Sequence, residues 1–158
     1  MKPNIGLSDE NREGVVELLN ALLADEYVLY TKFRKFHWNV RGPEFNTLHN
    51  VFEDQYTQLE QVIDDVAERV GTLGGVALGT MQEFLETARL KESPGENPKA
   101  VDMVREVVAD QEQLIKRLRN DAGVAAEKYG DLGTEGFLSE LLEQHEKMAW
   151  MLRSHLED

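Results

Sequence analysis

The sequence predicts an all-α protein: a four-helix bundle in up-down-down-up order, with a short extra helix in a long crossover between helices two and three. Three observations carry this. Apolar residues recur at helical intervals through four long stretches and nowhere alternate as a half-buried strand would. Clusters of Gly and Pro separate the stretches. The connections are unequal: those joining helices one to two and three to four are a few residues long, so each pair is an antiparallel hairpin. Residues 71–96 are instead long enough to travel the length of the bundle. At 158 residues the whole chain, 1–158, suits one domain with a sizeable core and is too short for two comfortable ones.

Residues 1–7 read as a short tail. The first helix opens at Ser8, a capping hydroxyl followed by Asp9 and Glu10, acids placed against the positive end of the helix dipole. Val15, Leu18, Leu19, Leu22, Leu23, Val28 and Leu29 give its apolar side, and Arg41-Gly42-Pro43 stops it after about Val40. The second runs from about Glu44 to Val70 with Leu48, Val51, Phe52, Leu59, Val62, Ile63 and Val66 inward. Within the crossover, Thr80-Met81-Gln82-Glu83 fits a capping box and leads into Phe84 and Leu85. Asn97-Pro98 then reads as cap and first residue of the third long helix, which reaches about Tyr129. The fourth extends from Thr134 to near Leu156, carrying Phe137, Leu138, Leu141, Leu142, Met148 and Leu152.

Composition removes several classes of function. Lys and Arg number 17 against 30 Asp and Glu, a formal charge of −13 that repels polyanions. No apolar run approaches the ~20 residues of a membrane span. The opening Met1-Lys-Pro-Asn-Ile-Gly-Leu7 has no signal-peptide core, which predicts a cytoplasmic chain. There is no Cys, so any bound metal must take His, Asp and Glu ligands.

Candidate ligands lie on the second helix. His49 and Glu53 are four apart and share a side, as do Asp64 and Glu68. At 100° per residue all four fall on one flank. An acidic chain also places carboxylates at such spacings on a solvated face by chance, and Asp54, Glu60 and Asp65 show how many there are. Glu53 and Asp64 stand roughly 16 Å apart along the axis, too far to share one metal. Two antiparallel copies of the helix crossing near Gln58–Leu59 bring His49 and Glu53 of one against Asp64 and Glu68 of the other, twice per dimer. His37 joins from the neighbouring helix. Imidazole and carboxylate donors without thiolate suit iron, manganese or zinc. The Glu-x-x-His pairs of an intrasubunit di-iron bundle are missing.

The ordered set His37-Trp38-Asn39-Val40-Arg41-Gly42-Pro43, Phe45, Leu48-His49, Phe52-Glu53, Asp64-Asp65-Val66-Ala67-Glu68-Arg69 and Leu73-Gly74-Gly75 resembles the signature of Dps-type mini-ferritins. The resemblance spans essentially the whole chain, including the closing Glu143-Gln144-His145-Glu146-Lys147-Met148-Ala149-Trp150. It implies a ferritin-like bundle assembled as a hollow dodecamer with two-fold contacts through the second helix. At those contacts ferroxidase centres oxidise Fe(II), preferentially with hydrogen peroxide, and ferric mineral collects inside. Carried over by position, His37, His49 and Glu53 come from one subunit, and Asp64 and Glu68 from its partner. The third of these is often Asp in the family, so Glu53 alters length and keeps charge.

Other residues read more plainly. Trp38, next to His37, is placed to exchange an electron with such a centre, although packing beside Phe36 accounts for it better. Asp131 and Glu135 resemble acids that line iron-entry pores in these shells, and helix capping explains both almost as well. His145 reads as structural or surface, His155 as solvated, and Tyr27, Tyr30 and Phe33 as core or interface aromatics. Many relatives coat DNA through a basic tail. Here Lys2 is the only base before Arg12 and the end, Leu156-Glu157-Asp158, is acidic, so no appreciable DNA affinity is expected. A shell that binds metal without turnover is the remaining alternative.

Overall fold

The structure is a computed structural model that describes residues 3–157; Lys2 and Asp158, counted above for DNA affinity, lie outside the described residues. Five helices appear in order, with no strand among the described residues: α1 Asp9–Asn39, α2 Phe45–Thr72, α3 Met81–Thr87, α4 Ala100–Glu127 and α5 Leu132–Arg153. α1 packs on α2, α4 on α5, and α1 also touches α4 and α3. Side-chain pairs fix the directions. Lys32 meets Asp110 while Asp25 meets Arg117, so α1 and α4 are antiparallel. Arg153 meets Glu112 while Arg119 meets Glu146, so α4 and α5 are antiparallel as well. The bundle is therefore up-down-down-up, with α3 in the crossover.

Local sequence explains most boundaries. The Ser8 hydroxyl accepts from Asn11 N at 3.1 Å and caps α1. Thr80 and Glu83 form the reciprocal capping box of α3. The start of α4 departs from expectation. Asn97-Pro98 does not open the helix; Lys99 is its N-cap, in an extended conformation and with no side-chain cap bond. Asp102 and Met103 donate their backbone N–H groups to the Lys99 carbonyl, both at 2.9 Å, so the first turn closes on that residue. Upstream of this start, Lys32 donates to the Lys91 carbonyl and Lys35 to that of Ser93, which ties residues 91 and 93 to α1. α5 begins two residues earlier than expected, because Asp131 caps it: its Oδ1 accepts from Thr134 N at 2.9 Å. α5 also ends sooner, at Arg153.

Val15, Leu19, Leu22, Leu29, Phe33 and Phe36 of α1 meet Phe52, Leu59, Val66, Leu114, Leu118 and Leu138 in the core. Polar groups are set into it. Fully buried Asp25 accepts from the backbone N–H of Arg89 and Leu90, from Arg89 Nε and from Arg117, tying the crossover to α1 and α4. Lys32 is held by Asp110 at 2.5 Å and Glu106 at 2.9 Å. Burial by itself would lower the Lys32 ammonium, but the hydrogen bonds to these two acids outweigh it and raise it.

Candidate metal centre

The α1–α2 hairpin brings His37, near the end of α1, beside His49, in the second turn of α2. Their rings stack at 3.7 Å between centroids. Each Nδ1 faces the other residue's backbone carbonyl, His37 to His49 O at 2.8 Å and His49 to His37 O at 2.9 Å. A carbonyl only accepts, so both Nδ1 atoms carry hydrogen and donate. In the neutral rings this leaves each Nε2 with an open lone pair, the arrangement that a metal-binding imidazole needs.

Glu53 lies one turn beyond His49, and one ligand atom from each of His37, His49 and Glu53 falls within 4.8 Å of the others. His37 is 9% exposed, His49 is half-buried and Glu53 is exposed, so the group opens outward from the subunit. Two neutral imidazoles and a carboxylate fit a borderline divalent ion such as Fe(II) or Zn(II).

Aromatic rings frame the group. Phe45 stacks on His49, and Tyr56 meets the edge of His37 at 5.4 Å. The Tyr56 hydroxyl donates to Glu53 Oε1 at 3.4 Å. Burial, and then the nearby Glu53 carboxylate, push the Tyr56 phenol above its ordinary range, so it remains protonated.

Asp64 and Glu68 are exposed on α2 and do not join this group within the subunit. Asp64 lines an open groove of about 440 Å³ with Tyr27, Tyr30, Gln61 and Phe84. Asp131 is 4% exposed, and its oxygens are taken by Thr134 and by Arg69 at 3.1 Å. Glu135 is half-buried and accepts from the Ser139 hydroxyl at 3.4 Å. Trp38 is 65% exposed, with the Arg34 guanidinium 5.2 Å from its ring, so packing beside Phe36 does not describe it in the isolated subunit.

Two features escape sequence reasoning. The reciprocal imidazole–carbonyl bonds depend on backbone positions twelve residues apart that no pattern encodes. The Arg69–Asp131 contact joins α2 to the α5 cap, and only the Asp-x-x-Thr spacing at 131–134 hinted that Asp131 was engaged locally.

A bundle of this topology, with an imidazole–carboxylate group at its surface, defines a ferritin-like protein, and a family model described as a ferritin-like domain matches residues 16–158. The chain is 50% identical over 154 residues to a low temperature-induced protein of Nostoc, covering 98% of this chain and 86% of that one. It is 39% identical over 143 residues to a DNA protection during starvation protein of Bacillus anthracis, covering 90% and 96%. The crystal structure of a Dps protein from Vibrio cholerae, described as a member of the ferritin-like diiron-carboxylate superfamily, superposes with a TM-score of 0.91 at 32% identity, covering 99% and 98%. The chain belongs to the Dps family of ferritin-like proteins.

Proposed function

We propose that this chain is the subunit of a cytoplasmic ferroxidase that oxidises Fe(II) with hydrogen peroxide or dioxygen. The ferric product is stored inside a dodecameric shell, which protects against oxidative damage. The observation that carries the reading is the His37–His49–Glu53 group, whose two Nε2 lone pairs are left open by the bonds made at Nδ1. Names and descriptions among the relatives, DNA protection and a diiron-carboxylate superfamily, support it.

The site is completed across a two-fold axis. An axis between Gln58 and Leu59 sets His49 opposite Glu68 of the partner subunit and Glu53 opposite Asp64 of the partner subunit. Both pairs have the same midpoint, so a single axis satisfies them together. His37, His49 and Glu53 hold the iron substrate, and the partner's acids add negative charge that favours Fe(III). Two ferrous ions together supply both electrons that peroxide needs, so no hydroxyl radical is released. Of the acids proposed for an iron-entry pore, Asp131 is engaged by Arg69 and Thr134, which leaves Glu135 as the candidate.

The test mixes anaerobic Fe(II)-loaded protein with hydrogen peroxide. Oxidation should run faster than in an Asp64→Ala, Glu68→Ala double variant; equal rates would count against catalysis. A stable monomer that oxidises iron at full speed would remove the shared site.

A further inference from the structure

The solvent side of α2 is acidic along most of its length. Glu53, Asp54, Glu60, Asp64 and Glu68 are all exposed. At 100° per residue they fall within about 120° of one another around the helix axis, and no Lys or Arg shares that arc. The one Arg of α2, Arg69, is turned aside to Asp131 and Thr134. Arg34 of α1 donates to the Tyr30 hydroxyl at 2.7 Å. Across the groove that Asp64 lines, α3 adds Glu83 and Glu86 and no base.

Such a face repels a second copy of itself. In the two-fold arrangement proposed above, Glu53 stands opposite Asp64 of the partner subunit, carboxylate against carboxylate. Glu60 and Glu60 of the partner subunit flank the axis, about 4.5 Å apart along the helix direction. Like charges at this range oppose association, and more strongly where two helices exclude water. What offsets the repulsion lies on the same face. His37 is only 9% exposed, and with its Nδ1 committed to the His49 carbonyl, its Nε2 is left as a neutral donor atom for a metal. It falls in the one group with His49 and Glu53, so a divalent cation held there places two positive charges where the opposing carboxylates meet.

We infer that divalent metal controls assembly at this face: the α2–α2 contact is weak without a cation and closes when both of its sites are filled. The inference rests on the shared-site reading. An isolated subunit offers the ion His37, His49 and Glu53, whereas the pair adds the carboxylates of Asp64 and Glu68 of the partner subunit. An ion that binds the pair more tightly than the separate subunit strengthens association by the same factor. A coupling of about tenfold at each site, with two sites per pair, tightens the contact about a hundredfold. Closure of the shell thereby follows the arrival of the ion that it stores.

The experiment strips the full-length protein with a chelator, removes the chelator at low ionic strength, and measures mass by sedimentation and light scattering. Zn(II) is the probe, because it suits imidazole and carboxylate ligands and undergoes no oxidation. The stripped protein should be smaller than the assembled shell, and two Zn(II) per pair of subunits should restore the full mass. Mg(II), which prefers oxygen ligands, should fail at that concentration. His49→Ala should lose the response to Zn(II) and still assemble in high monovalent salt, which screens the acids without filling the site. An Asp54→Asn, Glu60→Gln variant, which keeps every proposed ligand, should assemble with less metal than wild type. Full mass in the stripped protein at low salt overturns the inference and leaves the shared-site reading standing. Equal potency of Mg(II) and Zn(II), or an Asp54→Asn, Glu60→Gln variant with unchanged metal demand, also overturns it. Small species under every condition, metal included, would overturn both.

Discussion

His145 and Glu26 meet at 2.9 Å, Nε2 to Oε1, in the middle of the bundle, and neither side chain is exposed. His145 Nδ1 is 2.7 Å from Gln111 Oε1, while Glu26 Oε2 has no hydrogen-bond partner among the described residues. Removing one member of such a buried pair leaves the other without compensation. His145→Ala should destabilise the fold by about 3–5 kcal/mol, whereas the double variant Glu26→Leu, His145→Leu should recover most of the loss. Thermal unfolding followed by helical circular dichroism decides; a double variant less stable than His145→Ala would show that this pair is worth more than apolar packing.

The proposed sharing of ligands between subunits predicts complementation. His49→Ala and the Asp64→Ala, Glu68→Ala double variant should each be inactive as pure assemblies. Co-assembled in equal amounts, half of the dimers contain one of each, and each of those has one intact site. Iron oxidation should then return to about a quarter of the wild-type level. No recovery in the mixture would place all ligands within one chain.

The crossover helix α3 carries an acid-sensitive cap. Hydrogen bonds from Gly79 N–H, the Thr80 hydroxyl and Thr80 N–H, in that order, hold the Glu83 carboxyl below its ordinary value of 4.5. A depressed carboxylate stabilises above the unfolded value and loses that contribution as pH falls through the folded one. Amides of α3 should therefore exchange faster in acid relative to those of α1, and Glu83→Gln should remove the difference. Equal pH dependence in Glu83→Gln and wild type would dismiss the cap as its source.

Gly14 illustrates packing that overrides propensity. A Cβ there would stand 2.3 Å from the Tyr129 ring, which rests against the α1 backbone. Gly→Ala within a helix ordinarily gains about 1 kcal/mol. Here the ring must move, and Gly14→Ala should instead cost about 1–3 kcal/mol. Gly123, in α4, meets nothing within 4 Å, so Gly123→Ala should show the ordinary gain. Chemical denaturation of both variants checks the opposite signs.

A net charge of −13 predicts that plasmid DNA migrates unretarded with this protein at moderate salt. A retained band in a gel shift would reveal a binding surface that the charge balance hides.

Much of this molecule is legible in the chain. The period of Leu and Val, the Ser8 and Thr80 caps, and the length of residues 71–96 determine four long helices and their order, because each rests on interactions within a few residues or on simple reach. The same local logic placed His49 with Glu53, one helical turn apart. The start of α4 is the exception: Asn97-Pro98 is a good local opening, but Lys99 is the cap, and the first turn closes on its carbonyl. Only the tertiary structure decided that the imidazoles of His37 and His49 hold each other by their carbonyls, and that Glu26 faces His145. Those relationships join residues on separate helices or distant turns, where angstrom-scale placement comes from packing the whole core and leaves no periodic trace in the order of amino acids.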